Sequence, residues 1–145
     1  MISKQMIVCV LIVSLTVALA VFSIGQTKAE ETKTGEKTIK TNEIVLTDAN
    51  FTTETSKDVV LIDFWAPWCR PCLMQGPILE KVAVAMSGKV KIGKCNVDEA
   101  PQSAERFGIR SIPTLIILKD GKVVEQFVGV QREEELISAL TKHIK

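Results

Sequence analysis

Two kinds of apolar spacing alternate along the chain. Val59 to Trp65 is a continuous apolar run interrupted only by Asp63, the pattern of a central strand covered on both faces. Ile44 to Leu46 predicts a shorter strand before it, and Thr47 or Asp48 can cap a brief helix that carries Phe51. Farther on, Ile78, Val82, Ala85 and Met86 recur at helical spacing, with Pro77 expected to kink that helix. Val90 to Val97 reads as the next strand and Pro101 to Phe107 as a short helix. Thr114 to Leu118 pairs with Val123 to Val128 through the Asp120-Gly121 hairpin signal. A last helix from Arg132 to Ile144 is expected to bury Leu136, Leu140 and Ile144. The order β-α-β-α-β-α-β-β-α predicts a three-layer α/β domain, helices on both faces of a central mixed sheet.

A different pattern precedes this domain. Met6 to Gly25 is a run of twenty residues without a charge, preceded by Lys4 and followed by Gln26, Lys28, Glu30 and Glu31. As a helix it would cover roughly 30 Å, the thickness of a bilayer core. Residues 1–29 are therefore expected to form a hydrophobic helix that acts as an export signal. Two variants stand open: a signal peptide cut after Ala29 or Gly25, or an uncleaved N-terminal membrane anchor through residues 6–25. Residues 30–42 change to Glu, Lys, Thr and Gly with Ile39 as the one large apolar residue, which predicts a flexible tether. The folded domain is expected over residues 43–145.

Composition narrows the function classes. In 145 residues, 18 basic and 17 acidic side chains give a net charge of +1, which leaves no electrostatic footprint for nucleic acid and no polybasic patch for a membrane surface. A hydrophobic content of 46% with only 8 Gly and 5 Pro excludes wholesale disorder.

The candidate chemistry is concentrated in Trp68-Cys69-Arg70-Pro71-Cys72, between the central strand and the next helix. A thiol at a helix N-terminus meets unpaired N–H groups and the positive end of the helix dipole, both of which favour the thiolate. Cys69 is thus the expected nucleophile and the more accessible thiol. Cys72, one turn in, is the sheltered thiol that can attack a mixed disulfide on Cys69 and release the partner. Half a zinc site is the competing reading, but zinc wants four ligands, and the chain offers no second Cys pair and one histidine, His143. A purely structural bridge is the other, and so small a loop removes little entropy from the unfolded chain. Cys95, in a predicted strand, reads as a buried inert thiol, and Cys9 falls within the apolar N-terminal run.

Several motifs in fixed order make residues 44–145 resemble the thioredoxin family. They are Val60 to Ala66, the Trp68 to Cys72 loop, Gly76-Pro77-Ile78-Leu79, Asn96-Val97-Asp98, Gly108 to Thr114, Lys119-Asp120-Gly121 and Gly129. The resemblance implies the thioredoxin fold and a protein-disulfide oxidoreductase with no bound cofactor, the Cys69-Cys72 pair being the redox group. It makes Asp63 the buried carboxylate behind the cysteines, in agreement with the physics: burial raises a carboxyl pKa and suits it to take the Cys72 proton. It places Lys94 near that carboxylate, although a strand lysine can also snorkel outward. It makes Pro113 a cis proline, and Trp68, Ile112, Pro113 and Gly129 the lining of an apolar groove for an extended peptide.

Two positions depart from the common pattern. Arg70 stands where a glycine is usual before Pro71, and Leu73 where a lysine is frequent after Cys72. A guanidinium beside the Cys69 thiolate favours the reduced form, so Arg70 is expected to make the pair slightly more oxidising. The leading expectation is an extracytoplasmic reductant of disulfide-containing protein clients, monomeric, and supplied with electrons by a membrane thiol carrier because that compartment is oxidising. The alternative is a non-catalytic docking or chaperone subunit that uses the groove alone. A role in cytochrome maturation is disfavoured, since the segment before Ile112 lacks the insertion those relatives carry.

Overall fold

The computed structural model describes residues 43–144. The expected N-terminal hydrophobic helix, with Cys9, and the expected tether lie outside the described residues. Among the described residues no helix is long and apolar enough to cross a membrane. The elements follow the order β1 (Glu43–Leu46), α1 (Phe51–Thr55), β2 (Val59–Trp65), α2 (Arg70–Ala85), β3 (Lys91–Asn96), α3 (Pro101–Arg106), β4 (Thr114–Lys119), β5 (Lys122–Val128) and α4 (Glu133–His143).

The strands form one mixed sheet in the order β1-β3-β2-β4-β5. β3 runs parallel to both β1 and β2, whereas β4 is antiparallel to β2 and to β5. The two-residue side-chain period then sorts the apolar residues into two cores. Val59 and Leu61 of β2, Ile92 of β3 and Leu115 and Ile117 of β4 pack with Leu79, Val82 and Ala83 of α2 and Leu136, Ala139 and Leu140 of α4. On the opposite face, Val60, Ile62 and Phe64, with Ile116 and Leu118, pack with Phe51 of α1 and with Ala104 and Phe107. Phe51, Phe64 and Phe107 form a ring cluster with centroids 5.1–6.3 Å apart. β2 is thus enclosed on both faces, and Asp63, the one polar residue within it, shares the face of α2 and α4.

Local chemistry explains the ends of the elements. Asp120 (φ 50°) and Gly121 (φ 76°) both occupy the left-handed region, as a two-residue hairpin with the twist of its strands requires. β5 is an edge strand and largely exposed, with a register irregularity opposite Ile117 and Leu118. Pro77 lies inside α2, which continues through it over sixteen residues; without an N–H, Pro77 leaves the Leu73 carbonyl without its usual donor.

Three expectations are corrected. Asn50, not Thr47 or Asp48, is the N-cap residue of α1. Asp48 serves a helix far along the chain: its carboxylate accepts from the backbone N–H groups of Gln102 (3.2 Å) and Ser103 (2.7 Å), which holds its pKa below the usual value. The buried stripe of α2 is Cys72, Gln75, Leu79, Val82 and Ala83, while Ala85 is exposed, because the helix starts earlier than the apolar spacing suggested. Ile144 lies past the end of α4 and is exposed, beyond the reach of the sheet it was expected to cover.

Gly93 marks a point of close packing between β1 and β3. A Cβ built there would collide with the Leu46 side chain, which is itself 1% exposed and cannot swing into solvent. Gly93→Ala is expected to lower stability to urea by about 1–3 kcal/mol through overpacking. An unchanged denaturation midpoint would show that β1 shifts freely.

Candidate active site

Three chain segments meet at one end of the sheet. β2 ends at Trp65 and the chain turns through Ala66 and Pro67 into α2; Cys69 is the N-cap residue of that helix. The backbone N–H of Cys72 donates to Cys69 Sγ at 3.2 Å. The sulfur occupies the place of a capping oxygen, where the unpaired N–H groups of the first turn stabilise negative charge. Pro71 sits in that first turn, where its missing N–H would have had no intrahelical partner. Cys69 and Cys72 are joined in a disulfide.

Joined as a disulfide, both cysteines are buried. Cys69 is 5% exposed and Cys72 2%, because Trp65, Ala66, Val97 and Ile112 pack around both. Their distinction is one of backbone position: only Cys69 Sγ receives the helix N–H.

The loop before β4 supplies the opposite wall. The Ile112–Pro113 peptide bond is cis. The Ile112 carbonyl oxygen lies 3.7 Å from Cys69 Sγ, and Thr114 Oγ1 donates to the Ser111 carbonyl at 2.7 Å, pinning the turn. The Gly129 N–H donates to the Pro113 carbonyl at 2.8 Å, so the end of β5 is bound to the same wall. Trp68 is 67% exposed, and its indole Nε1 donates to Asp98 at 2.8 Å, which holds the ring over the surface. Of the four residues expected to line the groove, Ile112 packs against the cysteines, Trp68 directly precedes Cys69, and Gly129 is bonded to Pro113. Arg70 and Leu73 are exposed beside the disulfide.

Asp63, in the middle of β2, is fully buried. Its Oδ2 accepts from Lys94 Nζ at 2.8 Å, across the β2–β3 pairing that sets the two residues side by side. Of the two orientations open to this lysine, the inward one is taken, with the ammonium also 5.4 Å from the centre of the Trp65 ring. Asp63 Oδ1 has no hydrogen-bond partner among the described residues. Burial pushes the Asp63 pKa above the ordinary carboxylate value, against the opposing pull of Lys94. Glu43, on the edge strand of the same face, is raised by burial as well.

The remaining candidates lie elsewhere. Cys95 is a buried free thiol whose pKa is pushed up to about 12, first by burial and then by the Asp48 and Asp63 carboxylates, so it stays an unreactive thiol. His143 Nε2 is 3.0 Å from Glu125 Oε1, in contact with β5 and not with the cysteines. No cluster of three or more His, Cys, Asp or Glu side chains able to hold a metal occurs among the described residues.

Known proteins carry the same arrangement of sequence. The family model described as thioredoxin matches residues 42–142. The chain belongs to the thioredoxin family. It is 51% identical over 98 residues to a thioredoxin of Bacillus subtilis, a match covering 68% of this chain and 94% of that protein. It is 50% identical over 100 residues to thioredoxin 2 of Chlorobaculum tepidum, covering 68% and 92%, and 46% identical over 101 residues to a thioredoxin of Staphylococcus aureus, covering 70% and 97%. With the Cys69–Cys72 disulfide at its active site, this thioredoxin-family chain is a thiol–disulfide oxidoreductase, and the disulfide itself is its redox group.

Two residues of the site escaped the sequence reading. Asp98 stood within a quoted motif without a role, and its partner Trp68 is thirty positions away. Gln75 is a polar residue on the buried stripe of α2, three positions after Cys72 and four before Leu79. That spacing was the available signal.

A buried acid with a raised pKa leaves a mark on stability. The folded state binds the Asp63 proton more tightly than the unfolded chain, so its contribution is fully present below the unfolded value of about 3.9 and is lost as pH rises through the folded value. Asp63→Asn is therefore expected to stabilise the fold at neutral pH by about 1–3 kcal/mol, because a poorly compensated buried charge is removed. The gain should vanish in acid, where Asp63 is protonated in both states. Urea titrations at pH 7 and about pH 3, below the unfolded value, check this; destabilisation at pH 7 would mean that the Lys94 pair outweighs desolvation.

Proposed function

We propose that this chain reduces disulfides of protein clients outside the cytoplasm, with Cys69 as nucleophile and Cys72 as resolving thiol. The position of Cys69 Sγ at the N-cap of α2, accepting the Cys72 N–H, is the observation that carries the reading. A thiolate there is stabilised without a neighbouring cation.

The reaction balances as two exchanges. Cys69 thiolate attacks one sulfur of a client disulfide; a Cys69–client disulfide forms and the other client sulfur leaves as thiolate. Asp63 then takes the proton of Cys72 through its unpartnered Oδ1, and Cys72 sulfur attacks Cys69 Sγ. The Cys69–Cys72 disulfide forms, the second client sulfur leaves and gains a proton, and two electrons have passed to the client. Asp63 is suited to the transfer because burial places its proton affinity nearer to that of a thiol than an exposed carboxylate's would be. The apolar groove of Trp68, Ile112, Pro113 and Gly129 receives the client chain on either side of its disulfide, and Arg70 raises the reduction potential slightly.

The compartment follows from residues 6–25, whose uncharged length suits a membrane helix or signal and whose Lys4 gives a positive-inside bias. The chain is then divided into an export segment (1–29), a tether (30–42) and a thioredoxin domain (43–145). The electron donor in such a place is a membrane-bound dithiol carrier, since soluble cytoplasmic reductants do not reach it. The domain works as a monomer.

Insulin reduction with dithiothreitol as terminal reductant tests the activity: catalysed turnover is expected, and its absence would favour a docking subunit. Cys72→Ser is expected to accumulate mixed disulfides with clients and Cys69→Ser none; equal trapping by both variants would overturn the assignment of roles. Cell fractionation reads the compartment. Full-length chain in membranes means an anchor, a shortened soluble chain outside the cytoplasm means a cleaved signal, and full-length chain in the cytosol refutes export.

A further inference from the structure

Gln75 is fully buried on a stripe that is otherwise apolar beyond Cys72. Its Oε1 accepts from the backbone N–H of Gln131 at 2.7 Å, a contact between residues fifty-six positions apart. Its Nε2 is buried without a hydrogen-bond partner among the described residues. An aliphatic side chain of similar length would fill the same space and remove the unpaired Nε2, losing only the bond to the half-buried Gln131 N–H, so the buried amide contributes little net core stability here.

What Gln75 holds is the turn that follows β5. The Gly129 N–H donates to the Pro113 carbonyl at 2.8 Å, and Gln131 Nε2 donates to the Gly129 and Val128 carbonyls at 3.2 and 3.4 Å. Gly129 has φ +87° with open space around a built Cβ, so conformation and not crowding favours glycine. The turn is therefore tied on one side to Pro113 and on the other to α2. Both ties end beside the disulfide: the Ile112 carbonyl is 3.7 Å from Cys69 Sγ, and Gln75 follows Cys72 by one helical turn.

We propose that Gln75 is a positioning residue for client binding: through Gln131 it fixes the Gly129 wall of the groove relative to the Cys69–Cys72 pair. The proposal rests on the reading of that groove as the client site. A wall secured at Pro113 alone has to be ordered anew by each client, which weakens binding without touching the sulfur chemistry. A small disulfide that needs only the Cys69 sulfur is indifferent to the wall.

The test compares Gln75→Met with the parent full-length protein in insulin reduction driven by dithiothreitol, and in the reaction of the reduced protein with 5,5′-dithiobis(2-nitrobenzoic acid). The insulin KM is expected to rise about three- to tenfold, the span of one neutral hydrogen bond, with kcat and the small-disulfide rate constant unchanged. The thermal midpoint is expected to change little, since the lost Gln131 hydrogen bond and the removed unpaired Nε2 act in opposite directions. Gln131→Ala, which alters a half-buried side chain and keeps the backbone N–H, is expected to raise the insulin KM in the same direction by less. An unchanged insulin KM in Gln75→Met overturns the proposal. Parallel losses with both substrates that track a lower midpoint overturn it too, since Gln75 would then serve folding alone. If Gln75→Met does not fold, Gln131→Ala decides by the same KM criterion. A parent that reduces the small disulfide but not insulin refutes the client groove itself, and the proposal with it.

Discussion

β2 has to bury both of its faces, and Asp63 is buried with it. The strand lies in the middle of the sheet, parallel to β3 on one side and antiparallel to β4 on the other, with helices over each face. Six apolar residues in seven satisfy that position, and the seventh, a carboxylate, must either find a cation or stay protonated. The fold offers both routes in part. Lys94 comes alongside through the β2–β3 register and engages one carboxylate oxygen, while burial still raises the pKa and leaves the other oxygen without a partner. A carboxyl held in that balance keeps its proton to higher pH than an exposed one.

The same strand aims the reactive end of the molecule. Its last residue, Trp65, accepts from the Val97 N–H at 3.0 Å, and the chain turns directly into α2 with Cys69 as the capping residue. The helix N-terminus is thereby fixed at one end of the central strand with a sulfur where an oxygen commonly stands. What the fold offers a sulfur there is backbone N–H groups, which do not titrate. It is therefore insensitive to pH in a way that a neighbouring histidine would not be, and the single histidine lies against Glu125.

The wall facing the disulfide comes from the antiparallel half of the sheet. The loop before β4 and the turn after β5 are joined to each other by the Gly129–Pro113 hydrogen bond and to α2 by Gln75. Parallel pairing thus sets Lys94 beside Asp63, and antiparallel pairing brings the Pro113 loop and the Gly129 turn together, with α2 tied to that turn through Gln75. The mixed character of the sheet is what brings them to one end.

The elements were legible in the sequence because their periods are local properties. The unbroken Val59 to Trp65 run, the Asp120-Gly121 turn and the Cys-x-x-Cys spacing before a helical stripe each need only neighbouring residues to be read, and the motifs they carry led to the thioredoxin family. Lost were the features that depend on residues distant in the chain. Asp48 looked like a cap for the helix beside it and caps α3 instead, because the fold brings Gln102 and Ser103 to its carboxylate. Ala85 and Ile144 fitted a helical spacing whose phase is set by where α2 begins and where α4 runs off the sheet. The inward turn of Lys94, the near-equal burial of the two cysteines and the tie from Gln75 to Gln131 were likewise decided by packing. The sequence by itself determined which residue types stand in which local period. Tertiary structure decided which of them meet, since a strand register or a hydrogen bond across 56 positions is set by the burial of the whole sheet and not by any window of the chain.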